Sequence, residues 1–147
     1  AVEEVNTKQL EQIILMIKQK LGNLASKKIT ILGTAFKPNT DDIRDSIAIE
    51  LIKKLLNKKA KIIIHDPKAM KNTQRIFKEK INYAKTIEDA LAKSQCVIIM
   101  TQWKQYEKLN NNQFKYMTRK FVIDCRRMLA KKQLDVDYYA IGLGKQN

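Results

Sequence analysis

The segment richest in reactive side chains runs from Gly33 to Ser46, G-T-A-F-K-P-N-T-D-D-I-R-D-S. It sets two cations, Lys37 and Arg44, around three carboxylates, Asp41, Asp42 and Asp45, directly after the apolar run Ile29–Gly33. Two readings stand side by side. In one, the cations meet a diphosphate while the acids fix the loop and the start of the next helix. In the other, the charges of a surface loop pair with one another. A dinucleotide loop would read G-x-G-x-x-G. Here Gly33 fits, but Ala35 and Pro38 hold the other two glycine positions. Asp66, closing K-I-I-I-H-D-P, stands where a Rossmann acid binds ribose. Asp-Pro also opens turns, and with the glycine pattern broken the turn is the favoured reading.

Other reactive types are sparse. His65 is the single histidine, and no Ser or Cys partner is marked by spacing, so it reads as a core or edge residue. Cys96 and Cys125 lack metal-ligand spacing and read as buried reduced thiols. Cys125 precedes Arg126–Arg127, which raises the alternative of a lowered thiol pKa. Trp103 and the tyrosines near it read as core or interface.

The elements that must position these residues follow from apolar periodicity. Val5, Leu10, Ile13, Ile14, Ile17 and Leu21 recur at helical spacing over residues 3–21, and Gly22 stands where a helix-ending glycine belongs. Strands are expected at Ile29–Gly33, Lys61–His65, Ile81–Ala84, Cys96–Thr101, Phe121–Asp124 and Tyr138–Ile141. Helical spacing fills Ser46–Leu56 and the stretch through Met70, Ile76 and Phe77. Thr86-Ile-Glu-Asp resembles a capping box. Continuous Ile/Val strands alternating with helices predict an α/β fold: a Rossmann-like parallel sheet with helices on both faces, preceded by a long N-terminal helix. Such sheets bind ligands beyond the carboxyl ends of their strands.

Composition narrows the class further. The chain has 147 residues, 44% hydrophobic and 7% aromatic, which suits a globular domain and argues against disorder or coiled coil. No run is long enough for a membrane helix, and no secretory leader is expected. A cytoplasmic protein is the expectation. Net charge is +14, which raises nucleic acid as a partner. The bases are overwhelmingly lysine, spread along the chain in ones and twos, and base reading favours clustered arginine. The sequence therefore argues against nucleic acid, while a diffuse positive field would still attract a phosphorylated small molecule.

The loop also carries a resemblance. I-L-G-T-A-F-K-P-N-T-D-D-I-R-D-S, a helix, then I-I-I-H-D-P, resembles the C-terminal domain of the UDP-glucose/GDP-mannose dehydrogenase family. I-E-D-A-L-A-K-S-Q-C-V-I-I-M-T-Q-W (Ile87–Trp103) and V-I-D-C-R-R-M-L (Val122–Leu129) are similar to later family motifs. The first twenty residues, with Glu4-Val5-Asn6, resemble the end of the helix that joins the family's two domains. Phe36 and Thr40 favour the UDP-glucose branch over the N-acetylmannosamine branch.

The resemblance implies an enzyme that oxidises the C6 hydroxyl of a nucleotide sugar to a carboxylate in two NAD-dependent steps. It implies that Phe36 and Lys37 contact the UDP part, that Arg126 reaches the UDP-sugar, and that Arg44 reaches NAD. Residues 1–22 would end the central, homodimer-forming helix, and residues 23–147 would form the UDP-sugar-binding domain. The family's NAD-binding glycine motif and catalytic cysteine have no counterpart here, so a missing N-terminal domain or a partner chain would supply both. Cys125 stands for the family's usual glycine, which would change backbone freedom beside Arg126, and Gln95 for its usual acid. The chain is thus expected to be a fragment, a split-gene product or a degenerate remnant, inactive alone; Ala1 in place of Met suggests a cut or processed start. A stand-alone interaction module with a decayed site is the alternative.

Overall fold

The computed structural model describes residues 4–142, with side chains from Thr7 onward. The expectations resting on Ala1 and on the Glu4-Val5-Asn6 side chains lie outside what is described. Six strands, β1 (Lys28–Leu32), β2 (Lys61–His65), β3 (Asn82–Tyr83), β4 (Cys96–Ile99), β5 (Phe121–Asp124) and β6 (Asp137–Ala140), form one sheet in the order β3-β2-β1-β4-β5-β6. Every neighbouring pair is parallel. This is the doubly wound order that the strand–helix alternation predicts, with its switch point between β1 and β4.

The helices are α1 (Glu4–Leu21), α2 (Ile47–Asn57), α3 (Met70–Phe77), α4 (Ile87–Leu91) and α5 (Asn111–Phe114). Leu10, Ile13, Ile14, Ile17 and Leu21 of α1 share one core with α2 and one face of the sheet. The stripe of α1 is therefore satisfied within the chain, at about 1.5–3 kcal/mol for each fully buried aliphatic side chain. Trp103, Tyr106 and Phe114 fill the core on the opposite face. At Thr86 only half of the expected capping box forms, with the hydroxyl accepting from the Asp89 N–H at 3.0 Å. The reciprocal box forms instead at Asn110 and Gln113, opening α5. Among the described residues, no helix is long and apolar enough to cross a membrane.

Gly33 is required where β1 meets β4. Its φ is +94°, and an added Cβ would lie 2.4 Å from the Thr101 Cβ. Only glycine tolerates both conditions. The backbone thus turns off β1 close against β4, which sets the course of the loop that follows.

Candidate functional site

The loops after β1, β4 and β5 converge at the switch point. Asp66, just past β2, organises them from beneath. It is buried, and its Oδ2 accepts the backbone N–H groups of Thr34 (2.8 Å) and Ala35 (3.0 Å) and the Trp103 indole N–H (3.0 Å). Its Oδ1 accepts from Lys68 and Ala69 at the turn into α3. Both oxygens are thus occupied, so Asp66 is a structural acceptor, as the turn reading expects. Asp124 plays the same part at the end of β5, accepting from the N–H groups of Arg126 and Leu129 and from the Tyr138 hydroxyl at 2.7 Å.

These buried acceptors hold up a small cleft of about 60 Å³ lined by Phe36, Asp45, Ser46, Ile47, Met100 and Arg126, among others. Arg126 is partly buried there. Its Nε donates to the Met100 carbonyl at 2.7 Å, which fixes the guanidinium plane and leaves its terminal nitrogens for the cleft. Burial pulls its pKa down from the ordinary value, though guanidinium remains charged. Phe36 is 44% exposed, an unusual state for a large apolar ring, and forms the outer wall. Ser46 begins α2, but its hydroxyl donates to the Thr34 carbonyl at 2.7 Å and makes no cap. The start of this eleven-residue helix, whose first N–H groups carry its positive dipole end, thus stands beside the cleft without a cap from Ser46.

Lys37 and Arg44 are not part of the cleft lining. Lys37 is exposed next to Phe36, whose N–H donates to the Asp42 carbonyl at 2.7 Å and closes the loop. Arg44 forms a two-pronged pair with Asp42, at 2.9 Å from Nη2 and 3.1 Å from Nε. The Arg44 guanidinium holds the Asp42 carboxyl down at about 2. Arg44 and Asp42 thus pair within the loop, as one of the two sequence readings expects for the loop charges. Arg44 and Asp42 border a second, open depression shared with Asn72 and Arg75.

The remaining candidates are structural. His65 is buried; its Nδ1 lies 2.8 Å from the Tyr106 hydroxyl, which donates to the His65 carbonyl at 2.9 Å. Burial lowers its pKa, so it sits neutral in the core. Cys125 is a buried free thiol, as its main sequence reading expects, and only the alternative of a lowered pKa is overturned. Burial pushes its thiol up to about 12, against the lowering considered from Arg126–Arg127. The left-handed backbone falls at Arg127 (φ 56°) and not at Cys125. Gln95 bridges strands through its backbone, donating to the Lys28 carbonyl. Sequence reasoning missed Ser46 and Met100, whose roles depend on contacts across the fold. Among the described residues, no group of three or more His, Cys, Asp or Glu side chains is placed to hold a metal ion.

Comparison with known proteins supplies an independent line. Residues 30–131 match the family model described as the UDP-glucose/GDP-mannose dehydrogenase family, UDP binding domain. The UDP-glucose 6-dehydrogenase AglM of Haloferax volcanii is 36% identical over 96% of this chain and 32% of its own length. The UDP-glucose 6-dehydrogenase YwqF of Bacillus subtilis is 29% identical over 97% of this chain and 33% of its own. The chain thus spans about a third of the length of these relatives. Among solved structures, a UDP-glucose dehydrogenase from the archaeon Pyrobaculum islandicum superposes with a TM-score of 0.79. The two are 29% identical, over 96% of this chain and 31% of that one.

Proposed function

The chain belongs to the UDP-glucose/GDP-mannose dehydrogenase family, and from that premise we propose that it is the nucleotide-sugar-binding domain of a UDP-glucose 6-dehydrogenase. The observation that carries this reading is the cleft at the switch point, which Phe36 and Arg126 line together with the start of α2. Arg126 and the α2 N-terminus favour a diphosphate. Phe36 gives a uracil ring an apolar face. Lys37, beside it, neutralises phosphate charge from the rim. UDP-glucose is the preferred sugar donor, in line with the relatives that match over nearly the whole chain.

In the whole enzyme the C6 hydroxyl would be oxidised to a carboxylate in two steps, each passing a hydride to one NAD, with water supplying the second carboxylate oxygen. The residues here do not form a dinucleotide site. Ala35 and Pro38 hold two glycine positions, and both oxygens of Asp66 are occupied by protein donors. NAD and the catalytic cysteine therefore belong to a separate N-terminal catalytic part. Arg44 meets NAD from the edge of this domain, once its guanidinium is shared between Asp42 and the cofactor. Alone, the chain binds and does not oxidise. Leu15 is 56% exposed on α1, and a homodimer through that helix accompanies the reading. So does a cytoplasmic setting, in keeping with two free, buried cysteines.

A thermal-shift series tests the proposal. UDP at 1 mM, with a Kd near 0.1 mM, adds about 1.4 kcal/mol of stability, or about 3 °C in melting midpoint. Absence of any shift with UDP or UDP-glucose overturns it and favours a module whose site has decayed.

A further inference from the structure

The lysines that alternate evenly along the sequence do not spread evenly in space. Strands of a parallel sheet all start at one edge, and that edge lies opposite the cleft. Hydrogen bonds across it set the basic residues side by side. The Lys61 N–H donates to the Lys27 carbonyl, the Gln95 N–H to that of Lys28, and the Arg119 N–H to that of Ser94, beside Lys93. Lys58, Lys59, Lys78 and Lys80 extend the same edge from the ends of α2 and α3. Among the described residues Glu79, Asp135 and Asp137 stand at or next to this edge, and Asp137 is spent on Lys20 at 2.9 Å. Most acids of the domain, Asp41, Asp42, Asp45, Asp66 and Asp124 included, lie at the opposite edge with the cleft.

Two exposed apolar groups flank this basic edge. Ile76, 45% exposed at the end of α3, borders a trough floored by Leu56 and Phe77 and rimmed by Lys53 and Lys80. On the other face of the sheet, Tyr116 is 47% exposed; its carbonyl accepts the Lys93 N–H, and Lys115 lies over its ring. α1 starts and β6 ends at the cleft side, where the Gln9 amide donates to the Gly142 carbonyl at 3.0 Å.

We propose that the strand-start edge, centred on Lys27, Lys59, Lys61 and Lys80 and flanked by Ile76 and Tyr116, docks on an anionic lipid bilayer with the cleft facing away from it. Lysines near a negative membrane surface are attracted individually and additively, and flanking apolar side chains enter the interface. Nucleic acid fits less well. The edge holds Arg119 as its arginine, and an apolar trough rimmed by lysine suits an amphiphile better than a chain of phosphates. This surface is independent of the nucleotide-sugar reading.

The test is co-sedimentation of the 147-residue chain with vesicles of phosphatidylcholine alone or with 30% phosphatidylglycerol, at 0.15 M salt. Binding is expected to the anionic vesicles only. The Lys27→Glu, Lys59→Glu, Lys61→Glu, Lys80→Glu combination should weaken it by about thirtyfold or more with an unchanged circular dichroism spectrum. A matched set at the other edge (Lys68→Glu, Lys71→Glu, Lys104→Glu, Lys108→Glu) should leave it within about threefold. Ile76→Ser with Tyr116→Ser should weaken it severalfold at constant charge. The proposal is overturned by no binding, by equal binding to neutral vesicles, by equal loss from both charge sets, or by tighter binding of a 20-nucleotide single strand at the same salt.

Discussion

Asp66 and Asp42 stand at the same edge of the sheet, and each spends its carboxylate on hydrogen bonds within the chain. Asp66 is buried and draws donors from three segments: the loop after β1, the turn into α3 and the Trp103 indole. Asp42 is at the surface and holds Arg44, two residues away. Water can replace the partners of Asp42 at little cost, but not those of Asp66. The comparison teaches that this edge has a rigid floor, made by buried acceptors, and an adjustable rim, made by an exposed charged loop. The floor sets the shape of the cleft; the rim is free to trade one partner for a ligand.

The largest expected effect lies in the floor. Asp66→Ala leaves several buried N–H groups without acceptors and should cost about 3–5 kcal/mol, read as a melting midpoint lower by about 10 °C. A loss under 1 kcal/mol would erase the distinction between floor and rim. Gly33→Ala should cost about 2–4 kcal/mol, because a side chain there needs both a strained φ and space that Thr101 fills; chemical denaturation measures it. Rim and cleft cations should behave in the opposite way. Lys37→Ala should weaken UDP-sugar binding by about 1.5–3 kcal/mol while leaving the unfolding midpoint in place.

Smaller effects sharpen the contrast. His65 is neutral in the folded state and its pKa is lowered from 6.5 by burial. The unfolded chain therefore takes up the proton first on acidification, and stability should fall as pH drops below about 6.5. A midpoint unchanged between pH 7.5 and 5.0, or one equally sensitive in His65→Gln, would contradict this. Asp42→Ala should leave the midpoint unchanged, in spite of the short contacts to Arg44.

The strands were the most legible part of the sequence. Unbroken apolar runs such as Lys61–His65 and Phe121–Asp124 became strands with those very ends, because fully buried parallel strands allow no polar interruption. The floor of the site was not legible. Asp66 reads locally as a turn opener, and its bond to Trp103 spans 37 residues, a separation that periodicity does not report. The same holds for Arg126, whose anchor is the Met100 carbonyl just past the end of β4. The turn after β5 was equally hidden: the Asp124 side chain accepts from Arg126 and Leu129, and the left-handed residue is Arg127. Lysines far apart in sequence, such as Lys27, Lys61 and Lys93, become neighbours at one edge because parallel strands begin side by side there.

The central claim is a nucleotide-sugar cleft that Arg126 makes electrostatic. Its most direct test is calorimetric titration of the chain and of Arg126→Ala with UDP-glucose at 50 and 300 mM salt. The account predicts binding by the unaltered chain that weakens at the higher salt, and an affinity at least about tenfold lower in Arg126→Ala. No heat of binding, or an affinity that Arg126→Ala leaves unchanged, would contradict it.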